Sequence, residues 1–203
     1  MSDSKNRLLR AGLELFAEKG YKSASVRTIC DRAEVTINMI SHHFGGKKGL
    51  LQAVINRFGQ DVYIAPLRII REEAKNKEDF TIRLRLFTYE TMHAMLNNKA
   101  LLKILYNPGE LTEIIDAKEV FAQVIEYQSK YLDFLKSGVK VRAVRSDIDL
   151  SMLTGLLWDR MVFQVLYQKT MVDIFQGPDI SEQEYRQEWL DANLELFLKG
   201  LLT

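Results

Sequence analysis

The sequence predicts an all-α protein: an N-terminal three-helix head with a helix–turn–helix, followed by a larger helical body, about nine helices in all. Three observations predict it. Apolar residues recur at spacings of three and four through most of the chain. No segment shows the period-two alternation of a strand, and there is no internal repeat or low-complexity tract. With 3 Pro and 11 Gly in 203 residues, long loops have little room.

The elements follow in order. Leu8, Leu9, Gly12, Leu15 and Phe16 give the first helix its apolar stripe, and Gly20 supplies a left-handed stop. Ser25 is a good N-cap for a second helix that carries Val26, Ile29 and Cys30 inward. Ala33-Glu34-Val35 makes a turn. Thr36 caps a third helix through Phe44, with Ile40 and Phe44 inward, and Gly45 and Gly46 break it. A long amphipathic helix is expected from Lys48 to Lys75, kinked at Pro66. Asp79 caps the next, over Phe80–Leu96, and a short helix runs from Lys99 to Tyr106. Asn107-Pro108-Gly109 marks a turn. Thr112–Lys136 reads as a helix closed by Ser137-Gly138, Val139–Asp147 as a loop with three basic residues, and Asp149 as the cap of a helix to Asp173. Gln176-Gly177-Pro178 ends that helix, and Ser181 with Glu184 reads as a capping box for the last one, to Leu201. The domain boundary is expected inside or just after the fourth helix: residues 1–50 as a helix–turn–helix domain, 51–203 as a larger helical domain.

The formal net charge of +1 hides a split. Residues 1–60 carry a balance of +5 and residues 61–203 a balance of −4. A basic head on a mildly acidic body suggests a polyanionic partner at one end only. Cys30 is the only cysteine, which excludes an intramolecular disulfide and fits a reducing, cytoplasmic setting. On the apolar side of its helix it reads as a small buried hydrophobe. The first residues, MSDSKNRLLRAGLELF, carry charges throughout, with no apolar run of signal-peptide length. The longest run free of Asp, Glu, Lys and Arg, Val35–Gly46, is polar and punctuated, so no membrane partner is expected.

The stretch from Ser25 to Leu50, SVRTICDRAEVTINMISHHFGGKKGL, has the layout of a DNA-reading head: two short helices, a tight turn, a glycine break and a lysine-bearing helix start. FAEKGYKSASVRTICDRAEV and TINMISHHFGGKKGLL resemble the first helix, loop, second helix, recognition helix and fourth-helix start of the tetracycline-repressor (TetR) family of bacterial transcription regulators. These motifs cover about a quarter of the chain; the body is similar in length and helix plan, with Gly138–Asp149 resembling the loop before the penultimate helix. The resemblance implies a homodimer pairing through its last two helices, a small-molecule pocket in the body, and repression of transcription from a near-palindromic double-stranded site until an effector binds.

A recognition helix shows polar or shape-matched side chains to base edges while its other face packs. Val35, Ile40 and Phe44 serve the packed face, leaving Thr36, Ile37, Asn38, Met39, Ser41, His42 and His43 for DNA. Asn38 suits adenine, Ile37 and Met39 suit thymine methyls, and Thr36, His42 and His43 suit phosphates. Met39 is equally placed to pack inward. The resemblance adds Arg27 as a groove-reading arginine and Lys47 as a phosphate-binding lysine, beside helix N–H groups that favour an anion. The chain also departs from the pattern. Glu34 stands where the turn usually has glycine, so the turn must either avoid positive φ or tolerate strain. Ile37 stands in place of a lysine, and Ser41 and His43 in place of tyrosines, which weakens the sequence-independent grip. The adjacent His42 and His43 point about 100° apart and chelate poorly, so neither a metal nor any other cofactor is expected. Gly45–Gly49 lacks the spacing and preceding strand of a phosphate loop.

In the body, Leu157, Met161 and Val165 on the penultimate helix and Leu190, Phe197 and Leu198 on the last are candidates for a dimer interface, since both helices are apolar over more than one face. The middle helices carry an aromatic and Met stripe that serves as core or as a ligand box; Met92, His93, Tyr127, Tyr131 and Trp158 are the candidate lining for a small apolar or aromatic effector. Two readings stay open: a dimeric DNA-binding regulator, and a helical ligand-binding or interaction protein whose head has lost its grip. An enzyme is not expected, because the chain has no G-x-S-x-G, no H-E-x-x-H, no acidic dyad and no nucleotide loop.

Overall fold

The computed structural model describes residues 3–107, 111 and 114–201. The helices in chain order are α1 (Asp3–Ser23), α2 (Val26–Arg32), α3 (Asn38–Phe44), α4 (Lys47–Gly59), α5 (Lys77–Asn97), α6 (Lys99–Leu105), α7 (Ala117–Lys140), the single turn α8 (Leu150–Leu153), α9 (Leu156–Asp173) and α10 (Gln183–Leu201). Among the described residues there is no strand. The fold is all-α, as its apolar periodicity requires.

Several boundaries differ from the expected ones, each for a local reason. Gly20 does leave the helical region, at φ 77°, inside the span of α1. The helix expected over Lys48–Lys75 stops at Gly59 and continues as a π-helical turn, Gln60–Ile64, and a 3₁₀ turn, Ala65–Ile70. Pro66 lies in the first turn of the 3₁₀ segment, where its missing N–H costs nothing. Helix α5 begins earlier than Asp79 because Asn76 is the cap: Asn76 Oδ1 accepts from Asp79 N and Asp79 Oδ2 accepts from Lys75 N, each at 2.9 Å. Thr112, Pro108 and Gly109 lie outside the described residues, and α7 runs on through Ser137-Gly138. It closes at Arg142, φ 56°, whose N–H donates to Val139 O at 3.0 Å while Ala143 N donates to Gly138 O at 2.8 Å. Gly138 serves packing instead, since a Cβ there would meet Phe80 Cε2 at 2.5 Å. Asp149 Oδ1 accepts from Ser151 N as a cap should, but Thr154 and Gly155 interrupt the expected helix between α8 and α9. Before α10, Asp179 Oδ1 holds Ser181 N at 2.8 Å, and the helix starts at Gln183.

Contacts divide the chain into two compact units: residues 1–61 with 98–123, and residues 62–97 with 124–203. Packing therefore does not follow the linear split at residue 50, because α6 and the start of α7 join the head. In the first unit α1 packs on α4 and α6, and Gly12 lets it approach Leu50 and Val54 closely. Leu8, Leu15, Phe16, Ile29, Ile40, Leu50, Leu51 and Leu101 fill the core. Gln52 Nε2 donates to Glu119 Oε2 at 3.0 Å and Gln123 Nε2 to Asn56 O at 3.2 Å, which ties α4 to the start of α7. In the second unit Phe80 stacks on Phe134 at 5.1 Å. The buried Ser137 Oγ accepts from Ala74 N and donates to Phe134 O.

Candidate nucleic-acid interface

Backbone devices shape the helix–turn–helix. Ser25 Oγ accepts from Thr28 N at 3.0 Å and closes the start of α2. At the end of α2, Glu34 takes a left-handed conformation at φ 52°. Its N–H donates to Asp31 O at 3.2 Å and Val35 N donates to Cys30 O at 3.1 Å, the paired bonds of a Schellman motif. The turn thus tolerates the strain that a Cβ brings to this region. Arg7 braces it: Nη1 donates to Glu34 O at 3.3 Å and lies 3.7 Å from Glu34 Oε2. Helix α3 starts at Asn38, with Ile37 rather than Thr36 at the cap position and no side-chain cap bond. Beyond α3, Gly45 at φ 71° and Gly46 at φ 128° turn the chain into α4. Gly49 cannot carry a side chain there, because a Cβ would lie 1.8 Å from Phe44 O.

Ile29, Cys30 and Ile40 are buried, and Val35 and Phe44 are half-buried. Burial pushes the Cys30 thiol up, with the Asp31 charge adding to the effect, so the thiol stays protonated and packs as a hydrophobe. On the other side, Arg27, Thr36, Ile37, Asn38, Ser41 and His42 are exposed. Met39 and His43 are half-buried. His43 Nε2 is hydrogen-bonded with Ser4 Oγ at 3.1 Å, which ties α3 to the start of α1. Lys47 Nζ lies 4.3 Å from the centre of the Tyr21 ring and donates to Lys22 O at 3.4 Å, so its ammonium is held at the start of α4. One tie escaped the sequence: Arg32 Nη1 reaches both Glu18 oxygens, at 3.0 and 3.1 Å, and Glu14 at 3.5 Å. The guanidinium holds the Glu18 carboxyl below its usual range. The spacing between positions 14, 18 and 32 crosses two helices, so no local pattern announces it.

The second unit places the remaining candidates. Met92, Tyr127, Tyr131 and Trp158 are buried together with Tyr63 and Phe87. Tyr127 stands 4.8 Å from Trp158 and 5.4 Å from Phe87, and Tyr63 stacks on Trp158 at 5.1 Å, centre to centre. Tyr131 Oη is buried with no hydrogen-bond partner, and burial raises its phenol well above the ordinary range. His93 does not join this cluster. It is exposed on α5, bonded with Asn97 at 3.0 Å, and lines an open cleft with Tyr89, Arg186 and Leu190. The interface candidates Leu157, Met161, Val165, Leu190, Phe197 and Leu198 are all buried within their own chain. The large apolar side chains that α9 and α10 expose are Leu156, Phe163, Tyr167 and Leu196. Among the described residues, no group of three or more His, Cys, Asp or Glu is placed to hold a metal, and no helix is long and apolar enough to cross a membrane.

A family model described as bacterial regulatory proteins, tetR family, matches residues 8–54, the span from the apolar stripe of α1 into α4. Through these residues the chain matches the tetR family of bacterial regulatory proteins. Among the curated relatives, the HTH-type transcriptional repressor KstR2 of Rhodococcus jostii (strain RHA1) is 25% identical over 162 residues, 78% of this chain and 76% of the relative. The HTH-type transcriptional regulator UidR of Escherichia coli (strain K12) is 38% identical over 52 residues, 26% of each chain. The solved structure of the ketosteroid transcriptional regulator KstR2 of Mycobacterium tuberculosis superposes with a TM-score of 0.73 at 20% identity, covering 98% of this chain and 95% of that one. The named relatives are transcriptional regulators, and with the helix–turn–helix they support a DNA-binding role for this chain.

Proposed function

We propose that this protein acts in the cytoplasm as a homodimer on a near-palindromic operator, and represses transcription until a small apolar or aromatic effector binds. The observation that carries the DNA contact is the exposed set Arg27, Thr36, Ile37, Asn38, Ser41 and His42, which the fold itself does not use for its core. Two such heads would enter successive major grooves about 34–36 Å apart. Repression is favoured by the relative named a transcriptional repressor. Pairing is favoured by Leu156, Phe163 and Tyr167, spaced by seven and four along α9, an arrangement that forms a seam on one helix face. The effector reading rests on Tyr131. A hydroxyl buried without a partner is costly, and an effector carrying a hydrogen-bond acceptor would relieve it among Met92, Tyr127 and Trp158. Such an effector must part these rings, so it acts by selecting an open state.

The test is a binding titration on the DNA upstream of the protein's own gene. Sequence-selective binding with a steep salt dependence is expected. Arg27→Ala should weaken it about 5- to 160-fold, the range of one lost bidentate base contact. Binding that is indifferent to sequence and to Arg27→Ala, with a flat salt dependence, favours the reading as a helical ligand-binding protein.

A further inference from the structure

Among the described residues of α1–α4, Ile37 is the one large hydrophobic side chain left exposed, at 54%. Its backbone is held in the first turn before α3, at φ −57° and ψ −30°, and the Cys30 thiol reaches its carbonyl at 3.8 Å. Its neighbours Thr36, Asn38 and Ser41 are all polar and exposed. An isolated exposed isoleucine elsewhere needs no explanation. Here it stands in the middle of the surface read above as facing base edges, and groove chemistry narrows what it can touch.

The major groove displays hydrogen-bonding groups at every base pair, and its one apolar group is the C5-methyl of thymine. An aliphatic side chain pressed on guanine O6 and N7, or on cytosine N4, would strip water and return no hydrogen bond, which is unfavourable. Over a thymine methyl the same side chain buries apolar area on both sides. We propose that Ile37 selects thymine by packing on its C5-methyl, one T·A pair in each half-site. This rests on the DNA-regulator reading and specifies what one residue of that surface reads.

The experiment selects sites for the full-length protein from a random duplex pool, which contains no methylated cytosine, so any methyl retrieved is thymine's. Each enriched thymine is then replaced in turn by deoxyuridine, which removes the methyl and keeps the pairing. At one position per half-site the loss should weaken wild-type binding about fourfold, the worth of one buried methyl-sized group. Ile37→Val should show the same penalty. Ile37→Ala should lose it, with its helical circular dichroism unchanged because the side chain is exposed. A penalty of equal size in wild type and Ile37→Ala overturns the assignment while leaving the regulator intact. No enriched sequence at all overturns the regulator reading as well.

Discussion

Glu34 shows how far one residue can depart from what its backbone favours. A left-handed residue with a Cβ is disfavoured by roughly 1–2 kcal/mol relative to glycine's easy access, and the exposed Arg7 contact returns only about 0–1 kcal/mol. Glu34→Gly should therefore stabilise the protein by about 0.5–1 kcal/mol after glycine's greater unfolded-state entropy is counted. The urea midpoint should rise with an unchanged slope; a lower midpoint would show that the Arg7 brace outweighs the strain. The sequence posed the alternatives at Glu34, and the folded turn takes the left-handed one, closed by the Schellman bonds and contacted by the distant Arg7. Cys30 was legible because a lone thiol at a helical apolar position has one common fate, burial. His43 was not fully legible, since its tie to Ser4 joins side chains far apart in the chain.

At the scale of elements, Arg83 secures the end of the 3₁₀ segment. Its Nε donates to Ile69 O at 2.8 Å, Nη2 to Glu72 O at 2.6 Å and Nη1 to Glu73 O at 3.2 Å, with the guanidinium 4.9 Å from the Phe134 ring. A lysine has one nitrogen and cannot reach three carbonyls in a fixed fork. Arg83→Lys should cost about 2–3 kcal/mol, read as a lower urea midpoint. Asp79 belongs to the same junction. The Lys75 N–H first, and then Arg83, hold its carboxyl below the usual range. A depressed folded-state pKa gives stability that is present above the unfolded value, near pH 4, and lost as pH falls through the folded one. Wild type should accordingly lose more stability than Asp79→Asn between pH 5 and pH 2; parallel curves would remove Asp79 from the acid response. Neither device is visible in hydrophobic periodicity, which reports buried faces and not which carbonyls a guanidinium will find.

For the whole molecule, the decisive surface is the one that the helices of a single chain leave uncovered. Phe163 and Tyr167 stack on each other at 4.8 Å while half-exposed, beside Leu156 on the same helix. The double change Phe163→Glu with Tyr167→Glu should yield a folded monomer by sedimentation and weaken binding to a two-half-site operator, because a single head reads too few bases. A double variant that still sediments as a dimer would place the interface elsewhere. The six residues named from sequence for this role are buried within their own chain. Apolar periodicity marks every buried side of a helix alike, and only the packing of α9 and α10 in the folded chain shows which sides are already used.

The sequence by itself determined the helical class, the helix–turn–helix and the head's likeness to the tetR family, because these rest on local patterns: 3.6-residue periodicity, capping residues and glycines at turns. It also marked the surface around α3, where polar residues interrupt that periodicity. Tertiary structure alone decided that α6 and the start of α7 pack with the head, that His93 stays outside the aromatic cluster, and that Tyr131 is left without a partner. Those outcomes depend on contacts between residues far apart in the chain, and burial is a property of the assembled packing that no single segment carries.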